Sequence, residues 1–154
     1  MEKINLQRFA GTVDSSAGLI ATGTKLEYSP DGTSFSEVAD VQTVPDIGQA
    51  PETVDVTSLT DTKRKSVSGL ANAANLAFQV VYKGANFKDL IAKDGDGVQY
   101  HWRVTYPDGM TATFTGSFSL QMGNVAVNGA LTFTITVVVS DGPNFAAAAA
   151  STGE

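Results

Sequence analysis

Apolar and polar residues alternate most strictly in the second half of the chain, and a period of two is the mark of a half-buried strand. Ala74, Leu76, Phe78, Val80 and Tyr82 share one face of a first strand, with Asn75 and Gln79 opposite. A second strand sets Val98, Tyr100, Trp102, Val104 and Tyr106 against Gln99, His101, Arg103 and Thr105. After the turn Pro107-Asp108-Gly109, a third sets Ala112, Phe114, Phe118 and Leu120 against Thr111, Thr113, Thr115, Ser117, Ser119 and Gln121. Beyond the Gly123–Gly129 turn region, a fourth sets Leu131, Phe133, Ile135, Val137 and Val139 against Thr132, Thr134 and Thr136. A one-residue slip in any of these would turn its large apolar side chains to water, so their registers are strongly specified. Between the first and second strands, Phe87, Leu90 and Ile91 fall at i, i+3 and i+4. That spacing predicts a short amphipathic helix over residues 86–93, with Asn86 or Ala85 near its cap and Gly95 just past its end.

The first half is less regular. Leu19–Tyr28 and Phe35–Thr43 read as strands flanking the turn Ser29-Pro30-Asp31-Gly32-Thr33-Ser34, which predicts a β-hairpin. Residues 44–72 carry little core pattern apart from Thr53-Val54-Asp55-Val56-Thr57. Long irregular segments of this kind are functional or disordered in compact domains. Residues 1–18 read as an arm, residues 19–140 as one β-domain and residues 141–154, with their alanine run, as a flexible tail.

Composition narrows the function classes. A chain of 154 residues suits one domain, which can bury about 70% of its unfolded surface. It has no cysteine, which excludes disulfide scaffolds, thiolate metal sites and thiol nucleophiles. The net charge of −6 argues against a dedicated nucleic-acid binder. No apolar run approaches the ~18 residues of a membrane span, and the first residues lack a signal peptide's apolar block.

Catalytic and ligand chemistry finds little support. His101 is the only histidine, on the polar face of a strand, so neither a hydrolase triad nor a histidine metal site can be composed. Asp94-Gly95-Asp96-Gly97 fails as a calcium loop, because Val98 and Thr105 stand where carboxylate ligands belong, and it reads as a tight turn. No glycine-rich phosphate loop is present, and no cofactor is expected. Lys63-Arg64-Lys65 is the one basic cluster, a loop tip suited to water or to a protein contact.

Val54-Asp55-Val56-Thr57-Ser58-Leu59-Thr60-Asp61, the basic turn, Val67-Ser68-Gly69-Leu70 and the strand from Ala74 to Tyr82 resemble the major tail tube proteins of long-tailed, siphovirus-type bacteriophages in order and spacing. The opening Ile4-Asn5-Leu6-Gln7-Arg8-Phe9-Ala10 is similar to the start of many phage structural proteins. Ala71-Asn72-Ala73 departs from the acidic residue and second glycine that many members carry there. The resemblance implies an antiparallel β-sandwich or barrel-like subunit with one short flanking helix, non-enzymatic, whose inner sheet joins neighbours into a ring. Six subunits would form the ring, and stacked rings the conduit for genome ejection. It implies that the 44–72 loop reaches a neighbouring ring through Asp55, Thr57, Asp61, Lys63, Arg64 and Lys65. The expected partners are the chain itself, the tail tip or initiator, tape measure and tail terminator proteins, and double-stranded DNA passing without specific binding. No membrane partner is expected; the location would be the virion tail, after assembly in the host cytoplasm.

The physics of such a conduit is consistent with the composition. About four inner strands per subunit, spaced ~4.8 Å, make a circle of about 115 Å and a diameter of roughly 37 Å, wide enough for a duplex. Six copies at −6 each carry −36, which repels DNA. The hydroxyl-rich rows Thr111, Thr113, Thr115, Ser117, Ser119 and Gln121, with Thr132, Thr134 and Thr136, are candidates for the lumen wall; an outer, solvent-facing sheet is the alternative for the same rows. The loop is expected to be disordered in the monomer and to order on stacking. The competing reading is a monomeric β-sandwich that binds carbohydrate or another surface ligand through the Tyr100–Tyr106 strand, although its aromatic residues share a face with Val98 and Val104.

Overall fold

The computed structural model describes residue 18, residues 20–71 and residues 74–148. The elements run β1 (Lys25–Ser29), β2 (Ser36–Val38), β3 (Val41–Thr43), β4 (Thr53–Asp55), β5 (Ser66–Ser68), β6 (Asn75–Val81), α1 (Ala85–Ile91), β7 (Tyr100–Thr105), β8 (Thr111–Met122) and β9 (Thr132–Ala146). Seven of the strands form one antiparallel sheet in the order β2-β1-β7-β8-β9-β6-β3, and β4 and β5 pair apart from it.

The two edge strands of this sheet, β2 and β3, are separated in sequence by only Ala39 and Asp40. Two residues span less than about 11 Å from strand end to strand start, so the sheet must roll until its edges meet at that corner. The ladder does not close between them, so the roll is an open, sandwich-like barrel. Its interior takes the alternating apolar face of each strand. Trp102, Phe78, Phe133, Leu26 and Ile135 are fully buried. Aromatic contacts cross the roll from β1 to β6: Tyr28 on Trp102 at 5.6 Å, Trp102 on Phe114 at 6.5 Å and Phe114 on Phe78 at 6.1 Å. The Trp102 indole N–H donates to the Gly116 carbonyl at 3.2 Å, so the largest core side chain leaves no polar atom unpaired. Helix α1 packs its apolar side onto this core, with Leu90 buried and Phe87 against Phe133 at 5.1 Å, and just beyond the helix the Lys93 ammonium lies 3.3 Å from the Tyr28 hydroxyl.

The four patterned strands of the second half stand where alternation puts them, although Val98 lies before β7 and is 43% exposed. Three readings need correction. The expected strand Phe35–Thr43 is two strands on opposite edges, broken where Asp40 takes φ 65°, a left-handed conformation that aspartate tolerates better than most residues. Only the last part of Leu19–Tyr28 is strand, because Thr22-Gly23 turns the chain first. The tail expected from residue 141 begins as structure: β9 continues to Ala146, where Phe145 pairs with Ala112 and Asn144 with Thr113. Residues 149–154 lie outside the described residues, as does the expected amino-terminal arm apart from Gly18. The helix begins at Ala85 with Gly84 at its N-cap, so Ala85 is the one of the two expected residues that stands beside the cap; the Asn86 side-chain oxygen accepts from Lys83 N at 3.0 Å.

Candidate assembly surfaces

The segment 44–72 holds a folded hairpin arm rather than an irregular loop. Val54 pairs with Val67 across β4 and β5, and the ladder runs on through Val56 N to Lys65 O at 2.9 Å and Glu52 N to Leu70 O at 3.3 Å. The tip is organised by its own polar side chains. Asp55 accepts from Thr57 N at 2.8 Å and from the Thr57 hydroxyl, and that hydroxyl oxygen accepts from Lys65 N at 2.9 Å, tying one strand to the other. Asp61 accepts from Ser58 N at 2.8 Å, from the Ser58 hydroxyl at 3.0 Å and from the Lys65 ammonium. These donors favour the ionised carboxylates: the Thr57 hydroxyl holds the Asp55 pKa below its ordinary value, and the Lys65 ammonium does the same for Asp61. Gly69 sits where the strands come closest. Its N–H meets Glu52 O at 2.5 Å, and a Cβ there would stand 3.1 Å from both that oxygen and Val54 Cγ2. The Asp-x-Thr-Ser-x-x-Asp spacing and the later Gly are thus the local chemistry of one hairpin.

Of the six residues expected to make contacts from this segment, Asp55, Thr57, Asp61 and Lys65 are engaged in shaping the arm. Lys63 and Arg64, at the exposed tip, have no ion-pair partner among the described residues. What the sequence reading missed is the arm's apolar face. Val54, Val67 and Val56 share one side of the hairpin, each about half exposed at 50%, 51% and 48%, while Leu59 and Leu70 stand almost wholly in water. A period of two was visible in Val54-Asp55-Val56, but nothing in it says that the apolar side lacks a core to face.

The hydroxyl rows divide into two groups. Gly116 marks the division: a Cβ at that position would lie 2.3 Å from the Val138 carbonyl oxygen, and the β8–β9 register shifts on either side of Thr115. On one side of this bend, Thr113 pairs with Arg103 and Thr115 with His101 and Asp141. Arg103 in turn donates to Glu27 at 2.8 Å and lies 4.0 Å above the Phe35 ring. His101 is exposed, with Nδ1 3.3 Å from the Thr115 hydroxyl and its ring against Gly32. Thr111, Thr113 and Thr115 therefore belong to a charged region of the sheet.

On the other side, Ser119 pairs with Thr136 and Thr136 with Ala77; Gln121 pairs with Thr134 and Thr134 with Gln79. Ser117, Val138 and Asn75 form one end of this grid, and Thr132 and Val81 the other. Gln79 Nε2 donates to the Thr132 hydroxyl at 3.4 Å. Across β8, β9, β6 and the outer positions of β3, no charged side chain interrupts the panel. The β6 residues extend it beyond what the hydroxyl rows alone suggested.

The described residues hold no group of three or more His, Asp or Glu side chains that could bind a metal. Asp96, in the former calcium-loop candidate, accepts from Val98 N at 2.8 Å and from the Tyr100 hydroxyl at 2.6 Å. None of the described helices is long and apolar enough to cross a membrane.

Comparison with known proteins agrees with this architecture. The family described as "Phage tail tube protein, TTP" matches residues 11–148. A chain of the anti-feeding prophage (AFP) baseplate, in a 6-fold symmetrised cryo-EM structure, superposes with TM-score 0.64 at 10% identity, covering 84% of this chain and 95% of that one. A chain from the tail of an empty GTA particle, computed with helical refinement and C6 symmetry, superposes with TM-score 0.63 at 20% identity, covering 84% and 100%. At these identities both establish a shared fold. No curated protein matches the sequence.

Proposed function

The chain belongs to the phage tail tube protein family, and we propose that it builds the tube from stacked six-membered rings through which the genome leaves the particle. It is a structural protein of the virion tail, and its chemistry is that of self-association. The six-fold symmetry stated for the AFP baseplate and the C6 symmetry stated for the GTA tail support the choice of six. In this reading the uncharged panel of β8, β9, β6 and β3 faces the lumen. Four strands from each of six copies give the circle of about 115 Å worked out above. A wall of hydroxyls and amides is wettable, offers no cation to neutralise a phosphate, and so adds no salt-dependent drag to a passing duplex. The charged side, with Arg103, Glu27, His101 and Asp141, then faces away from the lumen. The tail tip or initiator, tape measure and terminator proteins would meet the tube at its ends and inside it, during assembly in the host cytoplasm.

The observation that carries the reading is the arm. A two-stranded hairpin whose valine face lies in water is marginal alone, and covering that face gains the free energy that exposure withholds. Asp55, Thr57, Asp61 and Lys65 hold the arm in shape, and Lys63 and Arg64 are free to meet the next ring. Negative-stain electron microscopy of the concentrated protein, beside its sedimentation profile, tests the proposal. Hollow tubes or stacked rings are expected; a strictly monomeric species that shifts its Trp102 fluorescence with a carbohydrate ligand would overturn it.

A further inference from the structure

Beside the root of the arm lies an apolar groove of about 580 Å³. Its walls come from the segment after β3, the β7–β8 turn and the approach to β1, with Ile20, Val44, Ile47, Tyr106 and Met110 among them. Two carboxylates, Asp46 and Asp108, line it, and none of its lining residues is a cation. The arm has the opposite character: a valine face, an outstanding leucine, and two tip cations without an ion-pair partner among the described residues. Nor does the arm fill the groove of its own chain, since Leu59 is wholly exposed.

We propose that this groove receives the arm of a second copy of the chain, with Leu59 and the Val54–Val67 face entering between Ile47 and Met110 while Lys63 and Arg64 meet Asp46 and Asp108. The inference rests on the tube-forming reading and names the surface that the arm requires. Arm and groove are different patches of one chain, so their union is head-to-tail: every subunit gives one arm, receives one, and leaves a valency at each end of the array. Such a contact propagates into rings or filaments and does not stop at a dimer. The charges add register, since an arm displaced along the groove would leave two carboxylates and two cations unmatched.

The absence of cysteine allows a direct test in the full-length protein. Leu59→Cys and Met110→Cys are made in separate chains carrying different mass tags, mixed, concentrated and oxidised, and the same sample is imaged. A mixed disulfide dimer is expected, since the geometry would bring the two Cα atoms within the ~7 Å a disulfide demands. Leu59→Cys mixed with Lys88→Cys, on the exposed helix surface, should give none. Tubes without the mixed dimer would overturn the groove assignment and leave tube formation standing. The mixed dimer without tubes would uphold the groove and overturn the tube. Neither dimer nor assembly would overturn both. A doubly substituted chain that closes on itself at high dilution would show the arm folding onto its own groove. A disulfide from Phe9→Cys to Met110→Cys in place of the expected one would give the groove to the amino-terminal segment; either result refutes the proposal. Without any cross-link, Leu59→Asp should raise the concentration needed for assembly by about 10- to 100-fold. Arg64→Asp should weaken assembly, and Asp108→Arg in the same chain should restore it.

Discussion

Gly116 offers the sharpest test of how the sheet is shaped. Replacing it by alanine places a Cβ 2.3 Å from the Val138 carbonyl oxygen and 2.9 Å from Val137 Cγ1, where separations below 3.0 Å are essentially never seen. Both obstacles sit on β9, and the first is backbone, so no side-chain rotation relieves it. The strands must part by most of an ångström at the point where the ladder already shifts register. Overpacking of this kind costs about 1–3 kcal/mol, and the upper half applies where backbone has to move. The Gly116 carbonyl also accepts from the Trp102 indole, so movement there strains the central core contact. A loss of about 2–3 kcal/mol predicts a fall in Tm of about 4–12 °C for a domain of this size. Trp102 is the only tryptophan, and its bonded indole makes fluorescence-detected unfolding a local as well as a global reporter. The wild-type and Gly116→Ala proteins should be compared by thermal and urea unfolding, with circular dichroism in parallel. Equal stability within about 0.5 kcal/mol, with unchanged tryptophan emission, would refute the claim that the bend requires a residue without a side chain.

Other expectations follow from the same contacts. Asp55 and Asp61 have depressed pKa values in the folded arm, so their contribution is fully present above the unfolded carboxylate value and is lost as pH falls through the folded ones. Arm amides should hold their hydrogen-exchange protection at neutral pH and lose it only below about pH 4, and protection unchanged at pH 2 would contradict the assignment. Thr57→Val removes the hydroxyl that joins the two strands of the arm, and should raise exchange at Lys65 N without changing the Tm of the domain. Arg103→Ala breaks the bond to Glu27 and the stacking on Phe35; both groups are part-buried, so a loss of about 1 kcal/mol in urea unfolding is expected. Ser119→Lys, on the uncharged panel, should leave folding intact but give assembled tubes a salt-dependent affinity for duplex DNA that the wild type lacks.

The long strands were legible in the sequence because each alternates cleanly and borders a core large enough to enforce one register. The corner between β2 and β3 was not. Ala39-Asp40 carries neither glycine nor proline, and the turn depends on an aspartate in a left-handed conformation that only the rolled sheet makes worthwhile. Gly142-Pro143 misled in the opposite sense, since it reads as a strand breaker. The chain nonetheless continues as β9, because the first residues of β8 need a partner for their backbone groups. For the assembly surfaces, the break in core pattern over residues 44–72 marked where the arm lies. The naked valine face and the split of the hydroxyl rows depend on strand order and on the bend at Gly116, which composition does not encode.

The short edges of the rolled sheet have a bearing on when the protein assembles. Each edge strand is three residues long, and the two are joined at one corner. A stray strand from another molecule would find at most a few backbone donors and acceptors to pair with, too few to hold it. Backbone templating by an arbitrary strand, the indiscriminate route by which β-proteins coalesce, is therefore weak at these two edges. Selective association at these edges is decided by side chains, whose fit depends on sequence and whose charges depend on salt and pH. Such a subunit gives stray strands little to hold and keeps its edges for a neighbour whose side chains match.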